Sequence, residues 1–312
     1  MSETPRVLIV SGKGGTGKTI VAASLAFVAA RRGLATLLLE LEGRAGAAPL
    51  LGLEPTGVRE SETPFGFSIA SVGPREALLE YLGLFYGMTR LAGPLLRSRA
   101  VEAVTEVAPG FRDLMLAGKV YETAEWRRHS KRAGDRARYD LVVADAPPTG
   151  QIVPFLSAPA AFREILRVGK PSAQAGRIDA FLHKRARVLL VTTPEELPVA
   201  ETLEARAAIE ALGVPLGPVV VNRVLPPLAP RGTRRAVESL DATVIAERAG
   251  LRPKEAHAVT TVARRHGRAE AEQRTQIRRL QGLDRIELPR LFEPGFGRAE
   301  IERLSTHLAA AW

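Results

Sequence analysis

Short, unbroken apolar runs punctuate the chain, and helical patterns fill most of the intervals between them. RVLIVS (6–11), ATLLLEL (35–41), FSIASV (67–72), YDLVVAD (139–145), RVLLVTT (187–193) and GPVVVNR (217–223) lack the alternation of a half-solvated strand. Such continuous runs predict strands buried on both faces, as in a parallel sheet. A helix is predicted from about Lys18 to Arg32, with Ile20, Ala23, Ser24, Phe27 and Ala30 near one face and Gly33 as its stop. The rhythm breaks over 74–138, which predicts several helices with breaks at Gly93-Pro94 and Pro109-Gly110. Further helices are expected over about 155–184 and 198–212. The C-terminal part is helical except for DRIEL (284–288), with a last helix from about Arg298. Alternation of this kind predicts an α/β fold: a doubly wound, mostly parallel sheet with a helical subdomain inserted. The chain is read as a single domain, 1–312, with helical insertions at about 74–138 and 155–184.

Composition narrows the chemistry. The 312 residues include no cysteine, which excludes disulfides, thiolate zinc sites and iron–sulfur clusters within the chain. Five histidines are scattered; His257 and His266 are the closest pair, and their spacing supports no metal site. No apolar run reaches the roughly 18–20 residues of a membrane-spanning helix. MSETPR runs directly into the first strand without a leader pattern, so a cytoplasmic protein is expected. The net charge of +10 is mostly arginine in mixed segments such as 127–138 and 263–279. No aromatic residues interleave with them, so nucleic-acid binding is not expected, and solvated helix faces or loops account for them. An acidic partner or a membrane surface is the other reading, with the protein peripheral at the membrane.

SGKGGTGKT (11–19) fits G-x-x-x-x-G-K-[ST] and lies where a phosphate loop must, after a strand and opening a helix. Gly14, Gly15 and Gly17 permit dihedrals and a close backbone approach that a Cβ would block, so that N–H groups converge on phosphate oxygens. Lys18 would reach the β- and γ-phosphates, and the Thr19 hydroxyl would ligate Mg²⁺. Lys13 is surplus to that pattern.

With Lys13 included, the loop resembles the deviant Walker A sequence K-G-G-x-G-K-[ST] of the MinD, ParA and arsenite-pump ATPase class. The resemblance implies a dimer in which Lys13 crosses to the partner's nucleotide, like an arginine finger supplied in trans. DAPPTGQ (145–151) is similar to the D-T-A-P-T-G-H switch of the ArsA-like branch. That branch holds the arsenite-pump ATPase and the ATPase that targets tail-anchored membrane proteins. The resemblance implies that Asp145 holds Mg²⁺ through water and that Gly150 offers its N–H to the γ-phosphate. TTPEELPVAET (192–202), VVVNRVLP (219–226) and ELPRLFEPGFG (287–297) also resemble the branch. They imply nucleoside contacts from Glu195 and Asn222, and from Pro289 and Phe292 in a loop over adenine. Together with Gly14, Gly15, Thr16, Gly17, Lys18, Thr19 and Ile20, these form the expected ATP site. PGFRDLMLAGKVYE (109–122) matches the branch's helical subdomain.

The chain also departs from the pattern. Where the branch has a catalytic aspartate in D-P-A-H-S, this sequence reads ELEGRAG (40–46), and Glu42 falls on the aspartate's position. Glu42 would orient the attacking water, beside Lys13 and Lys18 as catalytic groups. Ile20 replaces a hydroxyl residue and Gln151 replaces the switch histidine. Without cysteine, neither thiolate metalloid binding nor a zinc clasp is expected.

The expected function is that of a Mg²⁺-dependent ATPase acting as a homodimer, or as a heterodimer with a related subunit. Its switch would move the helical subdomain to bind or release a hydrophobic helix client or a membrane-associated partner, for which 76–96 is apolar enough to line a groove. The alternative is a nucleotide-gated positioning or regulatory subunit with little hydrolysis, resembling MinD or ParA. For that reading the C-terminal RAEIERLSTHLAAAW is a candidate membrane helix.

Overall fold

The computed structural model describes residues 6–42, 46–86, 110–125, 138–228, 239–293 and 295–311. The elements in chain order are β1 (Val7–Gly12), α1 (Lys18–Arg31), β2 (Thr36–Leu41), α2 (Ala47–Leu50), β3 (Ser61–Glu62), β4 (Ser68–Val72), α3 (Pro74–Tyr86) and α4 (Phe111–Glu125). They continue with β5 (Leu141–Asp145), α5 (Thr149–Leu166), α6 (Lys170–Arg185), β6 (Ala186–Thr192), α7 (Glu196–Leu212) and β7 (Val219–Val224). The last are α8 (Ala242–Ala249), α9 (Pro253–Arg278), β8 (Arg285–Pro289) and α10 (Arg298–Ala311).

Among the described residues one sheet runs β3-β4-β2-β5-β1-β6-β7-β8, and every pairing is parallel except β3 with β4. The continuous apolar runs are buried on both faces, as expected. Along β1, Val7 and Ile9 enter one core with Phe155, Leu116 and Leu182, whereas Leu8 and Val10 enter the other with Leu25 and Leu308. The short antiparallel pair formed by β3 was not legible in the sequence, since its Ser61 and Glu62 are exposed and polar.

Helix α1 departs from the one-faced pattern expected of it. Residues Val21–Ala29 are all buried, because α10 covers the side away from the sheet. Ser24 Oγ donates to the Ile301 carbonyl (3.2 Å), and Arg31 donates to Ser305 Oγ (2.8 Å). Ile301, Leu304 and Leu308 of α10 are buried in that contact, which contributes about 1.5–3 kcal/mol for each side chain. The C-terminal apolar face that made a candidate membrane anchor is therefore committed to the core. Among the described residues no helix is long and apolar enough to cross a membrane.

The helical stretch expected over about 155–184 is two helices, α5 and α6, divided at Gly169 (φ 97°). Helix α5 starts earlier than expected, so Gly150 lies in its first turn. The basic segment 263–279 belongs to α9, mostly as an exposed helix face. Within the insert, α3 and α4 are helical as expected. The breaks at Gly93-Pro94 and Pro109, the rest of 87–109 (and so most of the 76–96 groove) and 127–137 of the other basic segment lie outside the described residues.

Candidate nucleotide site

Strand β1 lies between β5 and β6, and the chain leads outward from this point in opposite directions. Ligands of open α/β sheets bind at such a switch point, beyond the carboxyl ends of the strands. The loops that follow β1, β5 and β6 meet here.

The 12–17 loop is a closed curl. Thr16, 2 % exposed, donates through its backbone N (3.3 Å) and Oγ1 (2.8 Å) to the Lys13 carbonyl. Asn222 Nδ2 donates to the Thr16 carbonyl (2.9 Å), and its Oδ1 accepts the Arg223 N–H (2.9 Å). Gly17 has φ 94°, and a Cβ there would lie 2.4 Å from Asn222 Nδ2. Gly15 also needs a left-handed φ, 86°. Gly14 meets nothing within 4 Å, so any close approach there is to a ligand and not to protein. The tightest position is one the sequence reading did not single out: a Cβ on Gly12 would lie 2.0 Å from the Val191 carbonyl oxygen. The curl delivers the chain into α1, whose first turn has neither an acidic residue nor a side-chain cap. The first-turn N–H groups of a helix lack intrahelical acceptors, and with the helix dipole they suit an anion.

Beside the loop, Thr19 Oγ1 donates to Asp145 Oδ2 (2.6 Å). Asp145 ends β5, as expected. Burial pushes its carboxyl up to about 6, against the Thr19 hydrogen bond and the Lys18 charge, while Glu42 pushes it up further. Its Oδ1 is buried without a partner. A hydroxyl and a partly unsatisfied carboxylate, set against a phosphate loop, fit a hard cation that takes its remaining ligands from phosphates and water.

Lys13 Nζ is engaged by Glu201 Oε1, on α7 of the same chain. Glu201 Oε2 accepts the Thr149 hydroxyl (3.1 Å), and the Lys13 bond holds this carboxyl below its ordinary value. The sequence did not single out Glu201. Glu42 follows β2 at φ 76°, a region that residues with a Cβ avoid, and its Oε1 accepts from Arg112 Nη2 (2.9 Å).

The anion-transporting ATPase (ArsA) family matches residues 5–182. The chain belongs to this family. ATPase BagA of Mycobacterium tuberculosis is 38 % identical over 79 % of this chain and 73 % of its own length. The arsenical pump-driving ATPase of Acidiphilium multivorum is 22 % identical over 72 % of this chain and 40 % of its own. ATPase ASNA1 homolog 1 of Paramecium tetraurelia is 26 % identical over 51 % and 45 %. The loop–helix geometry is therefore that of an ATP-binding and ATP-hydrolysing protein.

In this ArsA-family ATPase the positions expected at the nucleoside are spread along the same edge. Glu195 is exposed and precedes α7. Pro289 ends β8, and Phe292 is 63 % exposed beneath the Arg290 guanidinium (5.5 Å). Asn222 is 4 % exposed and bound to the loop, with one of its two amide hydrogens taken by the Thr16 carbonyl. Gly150 is exposed in the first turn of α5. Ser11, also missed, ties the end of β1 to the loop after β5 through a 2.6 Å bond to the Pro147 carbonyl.

Glu40 was missed as well, though an acid inside LLLEL is a visible signal. It lies opposite Asp145 in register and is 1 % exposed. Burial pushes its carboxyl up to about 7, opposed by the Ala47 N–H (2.7 Å) and reinforced by Asp145. Because the folded value exceeds the ordinary 4.5, the folded state holds a proton the unfolded state releases. Glu40's contribution to the stability of the nucleotide-free protein is therefore full below about pH 4.5 and is lost as pH rises towards 7, by an amount on the order of 3 kcal/mol. Urea unfolding across this range should show that slope, and Glu40→Gln should flatten most of it, leaving the same-signed part from Asp145.

Proposed function

We propose that this ATPase is Mg²⁺-dependent and dimeric, with a deviant Walker A loop, and that its nucleotide cycle moves a helical segment to bind or release a partner. The observation that carries the reading is the Thr19–Asp145 pair with its unsatisfied buried oxygen. Thr19 and Asp145 would hold Mg²⁺ there, and the ion would supply neutralisation of phosphate charge. Thr19 would supply a direct ligand and Asp145 would hold a metal-bound water. The loop amides and Lys18 bind the phosphates. Glu42 orients the attacking water once it faces the γ-phosphate. Lys13 leaves Glu201 and crosses to the neighbouring subunit's nucleotide, which also frees Thr149 at the head of α5. Gly150 senses the γ-phosphate through its N–H, so loss of phosphate is felt by α5 and by α4 packed on it.

The protein is read as one cytoplasmic ATPase domain, peripheral at the membrane when its partner is there. The partner would be a hydrophobic helix or a membrane-associated protein, and the second subunit a copy or a related chain. Phe292 and Pro289 would close over the adenine, near Glu195 and Asn222. A second reading, nucleotide gating with little turnover, is favoured by one substitution: Glu42, one methylene longer, stands where the branch has its aspartate.

ATP hydrolysis by the purified chain, with Mg²⁺ and with EDTA, tests the proposal. Hydrolysis should require Mg²⁺, and Asp145→Asn should lower it about 100-fold. Turnover that survives EDTA and the substitution would overturn the cation role. ATP binding without turnover at any protein concentration would select the gating reading.

A further inference from the structure

The sequence offered no partner for Glu42, and the structure supplies one from a helix 70 residues away. Gly110, at φ 79°, turns the chain into α4, and Phe111 seats against Phe162 of α5 (ring centroids 6.0 Å). Arg112 is thereby fixed at the end of β2, with Nη2 2.9 Å from Glu42 Oε1. The Glu42 side chain is 15 % exposed, that of Arg112 43 %.

Glu42 needs such a partner. It is longer than aspartate and loses more rotamer freedom when held in one direction. It also faces like charge, since it raises the proton affinity of both Asp113 and Asp145. Without a cation its carboxylate would swing away from them, and an error of about 1 Å in a water-orienting group costs around 100-fold in rate. A base oriented by a third group is the usual geometry of a positioned catalytic carboxylate.

The other end of α4 is tied into the helical layer. Lys119 bonds Glu80 of α3 (2.5 Å) and Glu122 (2.8 Å), and the Tyr121 ring stands edge-on to Phe181 of α6 (5.4 Å). A displacement of these helices must therefore carry Arg112 with it.

We propose that Arg112 is a positioning residue: its guanidinium sets the direction of the Glu42 carboxylate, so that the placement of the helical layer governs the hydrolytic step. The inference rests on the reading of Glu42 as the water-orienting group. Arginine serves this better than lysine because its planar fork fixes direction as well as charge.

The test uses Arg112→Ala, Arg112→Lys, Glu42→Gln and the Arg112→Ala/Glu42→Gln double variant in the full chain. ATP affinity, single-turnover hydrolysis and hydrogen exchange of 111–125 are measured, the last both without nucleotide and with Mg-ATP. Arg112→Ala should change ATP affinity by less than about threefold while lowering the single-turnover rate about tenfold or more. Arg112→Lys should recover part of that loss, and the double variant should be no slower than Glu42→Gln alone. Exchange at the first turn of α4 should rise in nucleotide-free Arg112→Ala, and the effect of Mg-ATP on it should disappear. Wild-type rate and exchange in Arg112→Ala, with Glu42→Gln impaired, would overturn the role of Arg112 alone. Wild-type hydrolysis by Glu42→Gln would instead remove the reading beneath it, and the inference with it. Should turnover by the unmodified chain prove too slow to compare, the exchange difference decides: its loss in Arg112→Ala supports the proposal and its persistence overturns it.

Discussion

Lys13→Ala is expected to lower ATP turnover about 1,000-fold while leaving ATP affinity near that of the unmodified chain, the signature of a charge needed only in the transition state. The single chain already shows that Lys13 has another attachment. Its ammonium is held by Glu201, which also takes the Thr149 hydroxyl. Lys18 is the lysine at the head of α1, and its charge acts on Asp145. In the proposed dimer, Lys13 would leave Glu201 for a second nucleotide site brought against the same edge. Specific activity should then rise with protein concentration. Mixing two inactive variants separates the arrangements. Lys13→Ala retains Glu42, and Glu42→Ala retains Lys13. If the lysine acts across the interface, a mixed dimer contains one complete site and activity returns. If it acts within its own chain, each subunit remains defective and the mixture stays inactive.

Gly12→Ala is expected to abolish folding, or to destabilise the protein by about 3 kcal/mol or more. The added Cβ would meet the Val191 carbonyl oxygen at 2.0 Å, its carbon at 3.0 Å and Thr16 Oγ1 at 3.1 Å. The first two are backbone atoms of β6, which pairs with β1 on one side and β7 on the other, so Val191 cannot retreat without opening the sheet. Gly14→Ala is the control. Its Cβ would meet no protein atom within 4 Å, so the fold should survive and any defect should appear in nucleotide affinity. Urea unfolding beside nucleotide titration separates the two. Equal stability of the two variants would show that the β1–β6 contact is looser than its geometry implies.

These glycines show what a sequence pattern withholds. The phosphate-loop spacing marks Gly12 and Gly17 alike, but it does not show that Gly12 is held against a strand about 180 residues away. Glu40 and Glu42 are equally acidic in ELEGRAG, yet Glu40 lies inside β2 opposite Asp145, whereas Glu42 lies past the strand end at φ 76°. Local order cannot rank them, since the difference lies in solvation.

What the sequence determined by itself is what nearest neighbours along the chain control. Unbroken apolar runs specify strands buried on both faces, glycine spacing specifies the phosphate curl, and a strand ending in Asp145 specifies where a carboxylate emerges. Tertiary structure alone decided the rest. The all-round burial of α1 depends on α10, the pairing of Lys13 on Glu201 and that of Glu42 on Arg112. Each joins residues far apart in the chain, and their encounter is set by sheet order and helix packing, which no local spacing encodes.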